Sequence, residues 1–320
     1  MSGTWALDVD EIRYLPKGAG SYHWIGETGG GAACFITVDD LDTKPWIGGG
    51  RDATFAGLGA AYEAASTLHH DVGLAFVVSP LRGLNGQVVL RLSDRYSMAV
   101  FPFVEGRAGG WGDPLTDPDR DDLLRVLAGL HHAAHPSGLR MARRPLDLPE
   151  RPILVAVLGA LDRPWEGGPF SEPARRALAG HVQGVTARLE LLDLLASRLE
   201  EADDETVLTH GEPHPGNFIH TAEGLRLIDW DTVALARPER DLWMLDSASP
   251  GVLVQYENLV GRSVNDSAIS FYRLAWTLSD LAYFADSFRS AHEESESIRQ
   301  QWSEFECLLD GAHSAPYAVT

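Results

Sequence analysis

A chain of 320 residues has material for two lobes and more than one core. Its 46 acidic and 26 basic residues leave a formal net charge of −20. That balance argues against nucleic acid or an anionic membrane as partner, since either needs a basic footprint, and suits a cationic small molecule or simply solubility.

Residues 11–38 read as strand, glycine turn, strand, tight turn, strand. The first break is Pro16-Lys17-Gly18-Ala19-Gly20-Ser21, the second Gly29-Gly30-Gly31. Glycine permits positive φ and close backbone approach. Gly18 and Gly20 therefore either turn N–H groups toward a triphosphate, with Ser21 adding a hydroxyl, or form a plain hairpin turn. The acidic run Asp39-Asp40-Leu41-Asp42 reads as a solvated turn. Phe55, Leu58, Tyr62, Ala65 and Leu68 recur at helical spacing and predict a helix over 53–68, closed by His69-His70 at the negative end of its dipole. Strands are expected at 75–78 and at 87–92, after the Asn85-Gly86 turn. Met98 to Gly106 reads either as a core strand ending in a glycine turn or as an extended connecting segment.

The glycine-rich stretch 109–114 breaks the pattern, so 1–105 are expected to form one lobe and 106–320 the other. Asp117-Pro118 opens a helix running to about His132. His131 and His135 stand four apart but lack a third ligand, which favours packing or capping over metal. A short helix is expected within 153–161, and a long one from Ser171, where Gly180 and Gly184 lower its propensity. The 268–288 helix is apolar nearly all round and hence buried. Its Asp280 and Asp286, with Glu257, form either an ammonium-binding wall or a solvated face. A helical tail follows residue 291 and frays from His313.

The chemistry is concentrated in Val207-Leu208-Thr209-His210-Gly211-Glu212-Pro213-His214-Pro215-Gly216-Asn217-Phe218-Ile219 and Leu225-Arg226-Leu227-Ile228-Asp229-Trp230-Asp231. Two strand-like runs flank a loop bearing an acid, two histidines and an asparagine, and a further apolar run delivers two more acids at its end. Glu212 and Asn217 are five apart and Asp229 follows twelve later. Phosphoryl transfer needs this set: a carboxylate near the incoming hydroxyl, and an amide oxygen and a carboxylate for a hard cation.

This segment resembles the aminoglycoside phosphotransferase family of small-molecule kinases, marked by His-Gly-Asp-x-x-x-x-Asn followed by Ile-Asp. With the 236–242 stretch it is similar to the spectinomycin and hygromycin phosphotransferase-like branch. The resemblance implies a protein-kinase-like two-lobe α+β fold: a small antiparallel-sheet N-lobe with a glycine-rich loop and one helix, and a larger, mostly helical C-lobe. It implies ATP and Mg2+ as cofactors, with Asn217 and Asp229 as metal ligands, Glu212 as the base or orienting acid, and His210 bracing the catalytic loop. Asp231 becomes either an acid behind the metal ligands or a second ligand, and Asp241 a structural acid or a helix cap.

In the family pattern the phosphate-binding lysine of the third strand falls where this chain has Thr37. Lys44 is the nearby lysine that substitutes, with Arg51 as a second possibility, and Glu63 is the helix glutamate that would pair with that base. Phe103 and Val104 lie in the hinge and would contact adenine. The family has Asp where this chain has Glu212. Two departures at functional slots keep a nucleotide-binding pseudokinase open as an alternative, beside a metabolic kinase for a choline-, homoserine- or sugar-like acceptor. The isolated cysteines Cys34 and Cys307, and the lack of a leader or long apolar run, predict a cytoplasmic monomer or homodimer with a small, cationic acceptor as partner.

Overall fold

Alternation along one strand decides how the first hundred residues are built. The protein was analysed as a computed structural model, described over residues 2–16, 21–135, 141–201, 206–246 and 251–311. A short helix α1 (Ser2–Trp5) precedes strands β1 (Glu11–Leu15), β2 (Ser21–Thr28) and β3 (Gly31–Asp40), helix α2 (Arg51–His70), and strands β4 (Leu90–Arg91) and β5 (Tyr96–Pro102). The strands form one antiparallel sheet in the order β1-β2-β3-β5-β4.

Successive side chains on β3 point to opposite faces. Cys34 and Ile36 join Val100 and Trp5 in one apolar cluster. On the other face, Ala99 and Phe101 of β5 pack with Leu58 and Tyr62 of α2. Phe35 pairs in register with Phe101, Thr37 with Ala99 and Asp39 with Ser97, which puts Thr37 and Asp39 on the α2 side.

The strand expected at 75–78 is a turn with a single parallel bridge, Val77 to Leu227. Its main chain is spent on another segment: Phe76 O accepts from Leu227 N at 2.7 Å and Val78 N donates to Leu227 O at 3.0 Å. The strand expected at 87–92 shortens to β4. A turn closed by Gly83 N donating to Gln87 O at 2.8 Å holds its start, and Val88 and Val89 bury their side chains in the α2 cluster.

Further along come β6 (Arg107–Ala108), α3 (Asp117–His132), α4 (Arg151–Leu158), α5 (Ser171–Glu200), β7 (Val207–Thr209), β8 (Phe218–Thr221), β9 (Gly224–Leu227), β10 (Ala234–Ala236), α6 (Glu239–Asp246), α7 (Val252–Val260), α8 (Asp266–Arg289) and α9 (Glu296–Leu309). The architecture is thus a small antiparallel sheet with its helix, followed by a mostly helical remainder. α3 begins at Asp117-Pro118 as expected, and its cap is Thr116, whose hydroxyl accepts from Asp119 N. β6, β8 and β9 form a three-stranded sheet, and β7 pairs with β10.

The described residues cluster as two units, one of 2–144 and 206–263, the other of 145–201 and 264–311. The second is a helical unit. Leu178, Val185 and Leu192 of α5 share one core with Phe271, Leu278 and Phe288 of α8 and Phe305 of α9. Within it Arg188 donates to the carbonyls of Leu308 and Leu309 at 2.7 and 2.9 Å, closing the last turn of α9. The expected fraying from His313 lies outside the described residues. Among the described residues no helix is long and apolar enough to cross a membrane.

Candidate active site

The loop from His210 to Asn217 is held from behind by its main chain. Asp241, at the start of α6 and fully buried, accepts the N–H of His210 at 2.8 Å and of Gly211 at 2.6 Å. Burial works to raise its pKa, but the His131 hydrogen bond and charge, with Arg240 and His210, override this and hold it below the usual aspartate value. His131 of α3 donates to Asp241 from Nε2 at 3.1 Å, and its Nδ1 meets the Tyr256 hydroxyl of α7 at 2.6 Å. Gly211 has φ +103° and lies against the Arg240 guanidinium, where a Cβ would collide. That explains glycine after the histidine.

His210 itself is sealed. Its Nε2–H donates to Ile228 O at 2.8 Å and its Nδ1 accepts from Glu212 N at 3.2 Å. Burial lowers its basicity, so the ring is neutral with both nitrogens committed to main chain. It braces the loop rather than moving a proton. The two ends of the motif are tied as well: Ile228 N donates to Asn217 O at 2.9 Å, one residue before Asp229.

Asn217 spends its amide group inside the loop, donating to Glu212 O at 3.0 Å and lying 3.1 Å from His214 Nε2. Its Oδ1 is thereby the atom offered to a cation. His214 is neutral, pushed down to about 3 by burial and by His210. A neutral imidazole has one acceptor nitrogen, so its contacts with Asn217 Nδ2 and with Gly216 N (3.2 Å) compete for that single lone pair. Glu212 is pushed up to about 7, first by desolvation and then by Asp231, with Arg240, Lys44 and Arg144 opposing.

Asp229 adopts a left-handed conformation (φ 63°, ψ 60°), which a short polar residue tolerates at a strained functional turn. Its carboxyl stands well above the ordinary aspartate range through desolvation by the surrounding walls, then Asp231, with Lys44 pulling the other way. The side chain opens to solvent. Among the described residues, no three His, Cys, Asp or Glu form a metal-holding group. Asn217 Oδ1 and the exposed Asp229 carboxylate are oxygen donors of the kind a hard cation such as Mg2+ takes.

Opposite these acids stands Lys44, in the turn after β3 and only 4% exposed. Its ammonium lies 2.7 Å from Asp231 and 3.1 Å from Asp39. Burial alone would drive it toward neutrality, but Asp231, Asp39 and Asp229 reverse this and keep it charged. The expected pairing with Glu63 is not formed: Glu63 faces outward on α2 and binds Arg82 at 2.6 Å. Arg51 is likewise on the outside, paired with Asp42 at 2.8 Å.

Thr37 fills the strand-lysine slot and lies 3.3 Å from His23 Nδ1 across β2. Ser21 donates to Asp39 at 2.8 Å. Gly18 and Gly20 lie outside the described residues. Phe103 and Val104 are half-buried and sit between β5 and β6, outside either strand.

The acid run after β3, expected as a solvated turn, is instead largely buried. Asp39 is fully buried on Lys44, and Asp40 is 3% exposed and held by Arg95. Only Asp42 is exposed. The signal was present, since Asp39 is two residues past Thr37 on the same strand face. Tyr256 and the His131 link to Asp241 had no such signal.

The small antiparallel sheet with its helix, the buried lysine and the acid-bearing loops together define a protein-kinase-like phosphotransferase. The model of the phosphotransferase enzyme family (APH) matches residues 71–258. Protein StrN of Streptomyces griseus is 30% identical over 276 residues, spanning 80% of this chain and 78% of that protein. The chain therefore belongs to the phosphotransferase enzyme family, and it is a small-molecule phosphotransferase. Its fold is shared with spectinomycin phosphotransferase APH(9)-Ia, solved with ADP and spectinomycin (TM-score 0.72, 17% identity, 97% of this chain and 94% of that one). It is also shared with the Plasmodium vivax ethanolamine kinase (TM-score 0.61, 10% identity, 94% and 83%).

Proposed function

We propose that the chain transfers the γ-phosphoryl group of ATP, with Mg2+, to a hydroxyl of a small cationic acceptor of the aminoglycoside or aminocyclitol kind. The observation that supports this reading is the tie between the loop bearing Glu212 and Asn217 and the run that delivers Asp229: Asn217 Nδ2 donates to Glu212 O (3.0 Å) and Ile228 N to Asn217 O (2.9 Å).

In the transfer, the bond from the γ-phosphorus to the β–γ bridging oxygen breaks, and a bond to the acceptor oxygen forms. The acceptor proton passes to Glu212, whose acidity near neutrality suits it to take and release a proton at working pH. A longer arm than aspartate reaches the hydroxyl from a loop stiffened by Pro213 and Pro215, and because the transition state is largely dissociative the base supplies little of the rate. Asn217 Oδ1 and Asp229 would hold the divalent ion, which supplies charge neutralisation between phosphate oxygens. Lys44 faces the phosphates from the other side, and Phe103 and Val104 offer main-chain groups to the adenine edge. The acid excess supports a cationic acceptor through long-range attraction.

The test is Mg-dependent ATP protection against thermal unfolding, then ADP release over a panel of aminocyclitols, aminoglycosides, choline, homoserine and sugars. Turnover on an aminocyclitol or aminoglycoside is expected, with Asp229→Ala abolishing the Mg-dependence. Turnover on choline or homoserine alone would mark a metabolic kinase. Mg-dependent binding with no ADP release would mark a pseudokinase.

A further inference from the structure

We propose that Asp39 is the carboxylate that positions the phosphate-facing ammonium, in place of a helix glutamate, so that Lys44 is set by its own strand and turn and not by Glu63. The inference rests on the phosphate role proposed for Lys44.

Asp39 ends β3 and Lys44 follows five residues later. The turn between them is closed on both sides of Asp40: its carbonyl accepts from the Thr43 hydroxyl at 2.9 Å, and its carboxylate is gripped by Arg95. Ile47 N donates to Lys44 O at 3.1 Å, and Arg144 holds Trp46 O at 2.7 Å, so the exit is fixed as well. Asp39 is fully buried and oriented by the Ser21 hydroxyl at 2.8 Å.

A buried lysine needs a fixed counter-charge to remain an ammonium. Here it has two, from separate elements. Asp231 ties it to the turn beyond Asp229, and Asp39 ties it to the sheet.

α2 reaches the same cluster through a different residue. Tyr62, 2% exposed, faces Asp39, Asp231 and Asp229. One residue along a helix turns the side chain by about 100°, and Glu63 accordingly faces Arg82 on the outside. A side chain at Thr37 would approach Asp39 along the strand, whereas Lys44 comes to it from the far end of the turn. The ammonium has moved along the chain, and its carboxylate partner has moved with it.

The experiment uses the full chain and MgATP, read as affinity by titration and as ADP released to water or to spectinomycin. Asp39→Asn is expected to weaken MgATP by about tenfold or more, with Asp39→Glu recovering part of the loss. Glu63→Gln stays within about twofold of the parent, as surface substitutions do. Lys44→Met loses at least as much as Asp39→Asn, and the double variant is no worse than Lys44→Met, because the two act as one unit.

Asp39→Asn without effect, fully additive losses in the double variant, or a Glu63→Gln loss matching Lys44→Met would overturn the inference while leaving phosphoryl transfer standing. Lys44→Met binding MgATP as the parent does would remove the phosphate role of Lys44 and this inference with it. Should Asp39→Asn not fold, Ser21→Ala removes only the donor to Asp39, and the same non-additivity with Lys44→Met is expected at about threefold.

Discussion

The main-chain nitrogen of His210 lies 2.8 Å from the buried carboxylate of Asp241, and the same carboxylate takes the next N–H, of Gly211. Two consecutive peptide groups of the catalytic loop are thereby oriented from α6, with His131 and Tyr256 backing the acid. Asp241→Asn offers one oxygen and one NH2 group where two acceptors are needed, and a buried N–H is left unmet. A loss of about 3 kcal/mol is expected in urea unfolding. Because the folded-state pKa of Asp241 is lowered, its contribution is present above the ordinary aspartate value and disappears as pH falls through the depressed one. The Asn penalty should therefore shrink in acid, and a constant penalty would refute this account.

Glu212 is shifted the other way, to about 7. Its ionised, proton-accepting form grows in as pH rises through neutrality, so turnover should show a rising limb near pH 7. Glu212→Gln should lower kcat and remove that limb. A limb that persists in the variant assigns the titration to another group. The same shift makes ionised Glu212 a burden on the fold, lost stability that accrues as pH rises from the unfolded value through the folded one.

Lys44→Met leaves Asp39 and Asp231 buried without their cation. Breaking such a cluster costs about 3–5 kcal/mol. Urea unfolding of parent and variant at pH 7 tests this, and an unchanged midpoint would count against the cluster.

Gly109 permits β6 to lie against the catalytic loop, since a Cβ there would strike the Pro215 carbonyl and side chain. Gly109→Ala must push main chain away from main chain. A displacement of about 1 Å at the loop is worth about a hundredfold in rate, so activity should fall far more than the melting temperature. Equal falls in both would show that the glycine serves packing alone.

Much of this was legible because the catalytic loop is contiguous. His210, Glu212, Asn217 and Asp229 lie within twenty residues, and glycines and prolines fix their turns locally. What could not be read depended on pairing across the chain. Lys44 and Asp231 meet over 187 residues, and nothing local distinguishes Asp39 from its exposed neighbour Asp42. Glu63 departs from its expected pairing for the same reason: helical spacing places it on α2 but does not fix which way α2 is rotated, and Tyr62 and Leu58 are the residues that pack on the sheet. The strand expected at 75–78 is a turn because its main-chain groups at Phe76 and Val78 are used to pin Leu227.

The chain has two lysines, Lys17 and Lys44, and the second is closed off by a pair of carboxylates that keep its nitrogen protonated and therefore unreactive toward acylating reagents. Succinimidyl esters should spare Lys44 in the native protein. Slow acylation at that position then becomes a clock for spontaneous opening of the catalytic centre, readable by peptide mass without any knowledge of the acceptor.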